Sequence, residues 1–156
     1  MNGGEAVSPE AALLVEGNNR FALELYGVLA TGEEENLFIS PWSISTAFGM
    51  SWAGARGPTA EEMRTVLRFP FDQETTHPLF AELFDALGSL EAAGYLTLNS
   101  ANAMWPAIGW AVLPGYAAII EQYYHAYAES LDYIGATEAS REHINQWVAD
   151  NTSNRI

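Results

Sequence analysis

The sequence holds few residues whose types and spacing could support catalysis. The segment at residues 49–53, GMSWA, comes close to the nucleophile-elbow pattern, in which a sharp strand-to-helix turn exposes a reactive serine. Ser51, however, falls within a predicted helix, beyond the end of the nearest predicted strand, where no elbow can form. We therefore predict that the Ser51 hydroxyl donates to a backbone carbonyl one turn back, as helical serines commonly do.

The histidines and the absence of cysteine argue against a metal centre. His77, His125 and His143 are far apart in the sequence, and no two of them stand one helical turn apart. We expect all three on the surface or at helix ends. The chain also lacks an HExxH motif and a glycine-rich phosphate loop. The residues therefore predict no catalytic residue, no metal and no cofactor.

The charge balance excludes two classes of partner. The 156 residues include 20 acidic side chains against 6 arginines and no lysine, and the formal net charge is -14. Phosphate backbones and anionic membranes both require a positive protein surface. We therefore expect neither nucleic acid nor a membrane as a partner. With 49% hydrophobic residues, the chain can bury the core of one domain.

The longest uncharged stretch predicts a buried element. Residues 36–55 carry no charge, and they include one proline, two glycines and several hydroxyl side chains. The pattern predicts a short strand over Leu37–Ser40, a stop at Pro41, and a buried helix whose N-cap is Ser43. Because proline, glycine and hydroxyl residues interrupt the stretch, we do not interpret it as a membrane span.

Hydrophobic periodicity and capping residues predict several more helices but few strands. Helices are predicted to start at Ser8-Pro9, with a break at Gly17, and at Thr59, Pro78, Pro114 and Thr137. The predicted strands are Leu37–Ser40, Tyr95–Trp105 and Ala128–Ile134. Asn102 shares a strand face with core residues, so we expect it to join a hydrogen-bond network. Three strands do not close a sheet over so much apolar helix surface, and the chain looks cut short.

The stretch from residue 36 to residue 59 resembles the N-terminal signature of the serpin family of protease inhibitors. Further motifs match in the family's order, and together they cover residues 18–156. The last motif departs at Asn154, which replaces a usual glycine, although asparagine also tolerates a left-handed turn. The matching residues are Asn36, Phe38, Ser40, Pro41, Ser43, Ile44, Ala47, Gly54, Ala55, Gly57 and Thr59, then 19–22, 99–105, 113–114, 129–133 and 144–148.

The resemblance implies a fold and a domain organisation. It implies an α+β fold, namely the N-terminal part of the serpin fold, which is helix-rich, contributes strands to a large central sheet, and is incomplete on its own. Residues 1–17 would form an N-terminal extension and the start of the first helix. Residues 18–156 would form the N-terminal portion of a single serpin domain, with the C-terminal portion and its reactive-centre loop absent.

The resemblance also implies a protease inhibitor rather than an enzyme. Serpins act as suicide substrates of serine proteases and, in some cases, of cysteine proteases. The protease cleaves the reactive-centre loop, and the loop then inserts into the central sheet in a large conformational change. The implied partners are a target protease and the C-terminal remainder as a second chain, without which these residues cannot inhibit. A non-inhibitory serpin, acting as a binding or chaperone-like protein, would share every motif.

The family match assigns a structural role to five residues. Asn36, Ser40, Pro41, Ser43 and Asn102 correspond to positions at or near the shutter, the region beneath the central sheet where the sheet parts. In some serpins the helix that here starts at Pro78 binds heparin through basic side chains; here it has none, so we expect no heparin partner. Most serpins are extracellular, whereas Met1–Leu14 lacks the features of a signal peptide. Localisation therefore stays open.

Overall fold

A computed structural model describes residues 7–32, 36–98 and 100–155. The described residues are helix-rich with one short sheet, which confirms the predicted fold class. The chain divides into two compact units, residues 1–86 and 87–156, which are described separately. The elements are α1 (Pro9–Leu29), α2 (Pro41–Gly54), α3 (Gly57–Val66), α4 (Gln73–Ala92), β1 (Ala103–Met104), α5 (Pro114–Tyr124), β2 (Tyr127–Ala128) and α6 (Thr137–Asn151).

Helix α1 begins where the sequence predicts and continues without a break. Pro9 occupies the first turn, and the Ser8 hydroxyl accepts a hydrogen bond from the Ala11 amide at 3.1 Å. The predicted break at Gly17 is wrong. A Cβ atom at Gly17 would lie 2.2 Å from the backbone carbonyl oxygen of Arg68, so glycine is required there for close approach.

The starts of α2, α3 and α4 differ from their predictions. Helix α2 starts at Pro41 with Ser40 as its N-cap, and residues 37–40 pair with no strand in the described part of the chain. Helix α3 starts at Gly57, which places Thr59 inside the first turn rather than at the cap. Helix α4 starts at Gln73 instead of Pro78, because the Asp72 carboxylate accepts from the Thr75 amide at 2.9 Å. Local capping hydrogen bonds account for the starts of α2 and α4, whereas the N-cap residue of α3, Arg56, makes no side-chain capping hydrogen bond.

Trp52 of α2 lies at the centre of the core of the first unit. Its side chain is 2% exposed, and its indole N–H donates to the carbonyl of Ala60 in α3 at 2.8 Å. The ring lies 5.0 Å from Phe69 and 5.4 Å from His77, measured between centroids. One side chain therefore contacts α3, the segment after it, and α4. Other buried members of this core are Leu14, Phe21, Leu67, Leu79, Phe80 and Leu83.

His77 is buried, which contradicts the prediction that it lies on the surface or at a helix end. Its side chain is 3% exposed. Because α4 begins at Gln73, His77 falls inside the helix and contacts Trp52. Burial lowers the pKa of His77 to about 4, and the positive charge of Arg56 acts in the same direction.

The second unit is built around a short parallel pair of strands. Ala103 pairs with Tyr127 and Met104 with Ala128, and an isolated bridge joins Ala107 to Leu131. Helix α5 connects the strands and starts at Pro114, as predicted. The strands of the described unit are shorter than predicted, because the backbone hydrogen bonds between the two segments join only residues 102–108 to residues 127–131. Asn99, within the predicted strand Tyr95–Trp105, lies outside the described residues.

Helix α6 lies on the surface of the second unit. Ser140 is its only buried described residue, and the Ser140 hydroxyl donates to the Asp132 carbonyl at 3.0 Å. Thr137 is the first helical residue rather than the cap, and its hydroxyl donates to the Tyr133 carbonyl at 2.6 Å.

No helix in the described ranges combines the length and the apolar character needed to cross a membrane.

We predict that stability falls as the pH drops through the interval between 6.5 and about 4. The native pKa of His77 lies below the value of the unfolded chain, so the unfolded chain takes up a proton that the native protein does not. The contribution of His77 to the free energy of unfolding is complete above pH 6.5 and is lost as the pH falls towards 4. Urea midpoints measured across this interval test it. His77→Gln should flatten the dependence, whereas His125→Asn, at an exposed helix end, should not; equal slopes would refute the assignment.

We predict opposite effects for two glycine substitutions in α1. Gly17→Ala should lower the free energy of unfolding by about 1–3 kcal/mol or more, because its methyl group collides with the Arg68 carbonyl. Gly27→Ala has open space around the added methyl group and should raise it by about 0.5–1 kcal/mol. Denaturant unfolding of both variants provides the comparison. Equal effects would show that α1 does not approach Arg68 at Gly17.

Candidate functional site

Four of the five predicted shutter residues lie at the start of α2 in the first unit. The Ser40 hydroxyl lies 2.8 Å from the Ser43 hydroxyl, and it also accepts from the Ser43 amide at 3.4 Å. Pro41 is the first residue of the helix, and its fixed φ suits that position. Asn36 is exposed in the segment that leads into α2. The helix start is therefore held by two serines one turn apart.

Ser40, not Ser43, is the N-cap of α2, and Ser43 is exposed rather than buried. The sequence predicted both properties wrongly for Ser43. Phe38, just before the helix, is 95% exposed, so the described part of the first unit provides no cover on this side. The start of α2 is therefore exposed in the described structure, although its uncharged sequence is typical of a buried segment.

The opposite face of α2 buries hydroxyl groups without partners. Ser45 and Thr46 are each 1% exposed, and Thr76 of α4 is 0% exposed. The hydroxyls of all three have no hydrogen-bond partner among the described residues. A buried polar group left unpaired costs about 1–3 kcal/mol. Sequence reasoning did not single out these hydroxyls because it predicted a helix buried as a whole, whereas Phe48 is 51% exposed.

Asn102, the fifth predicted residue, lies in the second unit. Its side-chain amide donates to the carbonyl of Tyr124 at 3.1 Å, and its own carbonyl accepts from the Tyr127 amide at 2.9 Å. The predicted hydrogen-bond network at Asn102 is therefore confirmed. Asn102 ties the end of α5 to the start of β2. Tyr124 is completely buried, and burial raises the pKa of its phenol.

An aromatic cluster in the second unit was not predicted. Trp105 lies edge-to-face with Tyr127, His143 and Trp147, at centroid distances of 5.3, 5.5 and 5.5 Å. The Glu129 carboxylate accepts from the Tyr127 hydroxyl at 2.7 Å and lies 2.8 Å from His143 Nε2. These two hydrogen bonds lower the pKa of Glu129. The cluster attaches α6 to the strands, and nothing in the spacing of its residues indicates that they meet.

The remaining candidates for chemistry give no catalytic arrangement. The Ser51 hydroxyl donates to the Ala47 carbonyl at 3.2 Å, which confirms the prediction for a helical serine. His125 ends α5 with a left-handed backbone, as expected for a helix-end position, and His143 is exposed. Within the described ranges, no group of three or more His, Cys, Asp or Glu side chains is placed to hold a metal ion.

Comparison with known proteins identifies the class to which this fold and site belong. The model of the family described as Serpin (serine protease inhibitor) matches residues 16–156. The chain therefore belongs to the serpin family.

The relatives come from distant organisms. An uncharacterised serpin-like protein of Thermococcus kodakarensis is 40% identical over 144 residues, which is 92% of this chain and 33% of that protein. Serpin B6 of Bos taurus is 37% identical, with 92% of this chain and 38% of that protein covered. Iripin-2 of Ixodes ricinus is 34% identical, with 94% and 37% covered. The chain spans about a third of the length of these relatives.

The solved structure of a cleaved serpin 42Da supports the same fold. The two structures superpose with a TM-score of 0.79 at 24% sequence identity. The matched region is 94% of this chain and 38% of the serpin 42Da chain. The described residues therefore adopt part of the serpin fold.

We predict that Thr46→Val will leave the protein as stable as before or make it more stable, by up to about 1–3 kcal/mol. Valine has nearly the same shape, and it removes a buried hydroxyl that has no partner in the described structure. Thr65→Val is the matched control, since the Thr65 hydroxyl is exposed and donates to the Glu61 carbonyl at 2.8 Å. Thermal unfolding measures both. A large loss of stability in Thr46→Val alone would mean that its hydroxyl has an essential partner.

Proposed function

We propose that this chain is the N-terminal portion of an inhibitory serpin. Residues 1–17 form an N-terminal extension and the start of the first helix, and residues 18–156 belong to a single serpin domain. The observation that carries this proposal is the family match over residues 16–156, in a chain that spans 33–38% of the length of its relatives. The reactive-centre loop and most of the central sheet would then lie in the C-terminal remainder, either in the same polypeptide or as a second chain.

The proposed activity is trapping of a serine or cysteine protease. The protease nucleophile attacks a peptide carbonyl of the reactive-centre loop, the amine leaves, and an acyl-enzyme forms. The cleaved loop then inserts as a new strand into the central sheet and carries the protease with it before water can hydrolyse the ester or thioester. The protein would act as a suicide substrate, not as an enzyme.

In this mechanism the sheet has to part, and we assign Asn36, Ser40, Pro41, Ser43 and Asn102 to the shutter at which it parts. Two properties of α2 support the assignment. The start of α2 is capped by hydroxyls that exchange hydrogen bonds at low cost, since Ser40 and Ser43 are both exposed. Its buried face carries hydroxyls that have no hydrogen-bond partner among the described residues, and such groups make a conformation less stable than one in which they are paired. Both properties suit a region that changes partners.

The charge of α4 argues against regulation by heparin. The helix from Gln73 to Ala92 contains no lysine or arginine, and its exposed or half-buried carboxylates include Glu82, Asp85 and Glu91. A sulfated polymer would meet repulsion there. We therefore propose a protease as the partner, without a heparin cofactor.

Incubation of the complete serpin with a panel of serine and cysteine proteases tests this function. We expect at least one protease to form a covalent complex that survives SDS, because loop insertion is faster than deacylation in an inhibitory serpin. The same protease with its catalytic nucleophile replaced by alanine is the control and should form no such complex.

Cleavage of the loop by every protease without a stable complex would refute the inhibitory proposal. That result would favour the alternative, a non-inhibitory serpin that acts as a binding or chaperone-like protein.

A further inference from the structure

A cleft of about 350 Å³ opens in the first unit between α1 and the end of α3. We call it the arginine cleft because Arg20, Arg64 and Arg68 all line it. Gly17 brings α1 against the Arg68 backbone beside it, and the buried ring of Phe69 closes the apolar side. The cleft is therefore a fixed feature of the packing between α1 and the segment that follows α3.

The cleft gathers arginines in an acidic protein, each of them beside a glutamate. The chain has 6 arginines, no lysine and a net charge of -14, yet three of the arginines lie here. Glu16 is the only carboxylate among the lining residues. An anion inside the cleft meets guanidinium groups together with the glutamates that pair with them, so its binding depends on the donors that these ion pairs leave available. Beyond roughly 8 Å, salt screens the acidic remainder of the surface.

Each guanidinium group keeps hydrogen-bond donors available. Each arginine donates to a glutamate through Nη2, and Arg64 and Arg68 also donate through Nε. The Nη1 atom of each of the three has no hydrogen-bond partner among the described residues. The pairs are Glu16–Arg20, Glu61–Arg64 and Glu24–Arg68, at 2.6, 3.1 and 2.7 Å.

These ion pairs are weak enough to share their arginines with a ligand. All six side chains are at least 37% exposed, and exposed pairs contribute little to stability. The planar guanidinium group binds phosphate and sulfate oxygens through paired N–H donors. The apolar wall at Phe69 strengthens such contacts by excluding water from one side.

We propose that the arginine cleft binds a small oxyanion of the class of inorganic phosphate or sulfate, including their monoesters. Long polyanions are poor ligands, because each further charge would extend over the acidic surface. A bound oxyanion bridges α1 and the end of α3, so it stabilises the native first unit by mass action. This site is independent of protease trapping.

Isothermal titration of the full-length protein with inorganic phosphate tests the site, at constant ionic strength maintained with sodium chloride. We expect saturable binding, and a rise in the unfolding temperature with phosphate at the same ionic strength. Arg20→Gln and Arg64→Gln should each weaken binding about tenfold or more, as expected for the loss of one charge-assisted contact. Arg141→Gln is the matched control, since Arg141 forms a similar exposed pair with Glu138 outside the cleft.

Sulfate and a sugar phosphate distinguish the source of the ligand. If the sugar phosphate binds more tightly than phosphate and Arg20→Gln abolishes that binding, the site is supported and its ligand is a monoester. Absence of saturable binding overturns the proposal, and so does equal weakening in Arg141→Gln. A heparin oligosaccharide that binds the cleft more tightly than sulfate overturns the restriction to small anions.

Discussion

The burial of Trp52 is the interaction on which the rest of the first unit depends. Its indole donates to Ala60 in α3, and its ring packs on Phe69 and His77. This packing holds α2, α3 and α4 together, and it fixes the position of the segment around Phe69. That segment brings the Arg68 carbonyl against Gly17 and so closes the packing onto α1. The arginine cleft is a consequence of this arrangement.

The same arrangement is consistent with the conformational change that we propose for α2. One face of the helix is held by a large indole, while hydroxyls of Ser45 and Thr46 beside it are buried without partners in the described structure. Packing supplies the stability that hydrogen bonds do not. In the proposed inhibitor, such a helix can keep its apolar anchor while its capped end exchanges neighbours. A completely satisfied polar core would resist that exchange.

The second unit is organised by a different principle. Its strands are only two residues long, and the surface helix α6 buries little besides Ser140. Edge-to-face rings around Trp105, together with the Glu129 hydrogen bonds, attach that helix instead. Edge-to-face pairs depend on ring geometry as well as on buried area. The narrow apolar edge of α6, formed by Ile144, Trp147 and Val148, fits this mode of attachment.

The sequence alone determined the family, the fold class and the approximate positions of most helices, because motif order, proline positions and hydrophobic periodicity are local properties of the chain. It did not determine that α2 is capped by Ser40, that His77 is buried, or that Gly17 lies against Arg68. Nor did it reveal that Arg20, Arg64 and Arg68 share one cleft. Only the tertiary structure decided the burial of His77, the contact at Gly17 and the shared cleft, since each depends on which residue, distant in the sequence, occupies the neighbouring space. The cap at Ser40 is instead a local choice between two serines one turn apart.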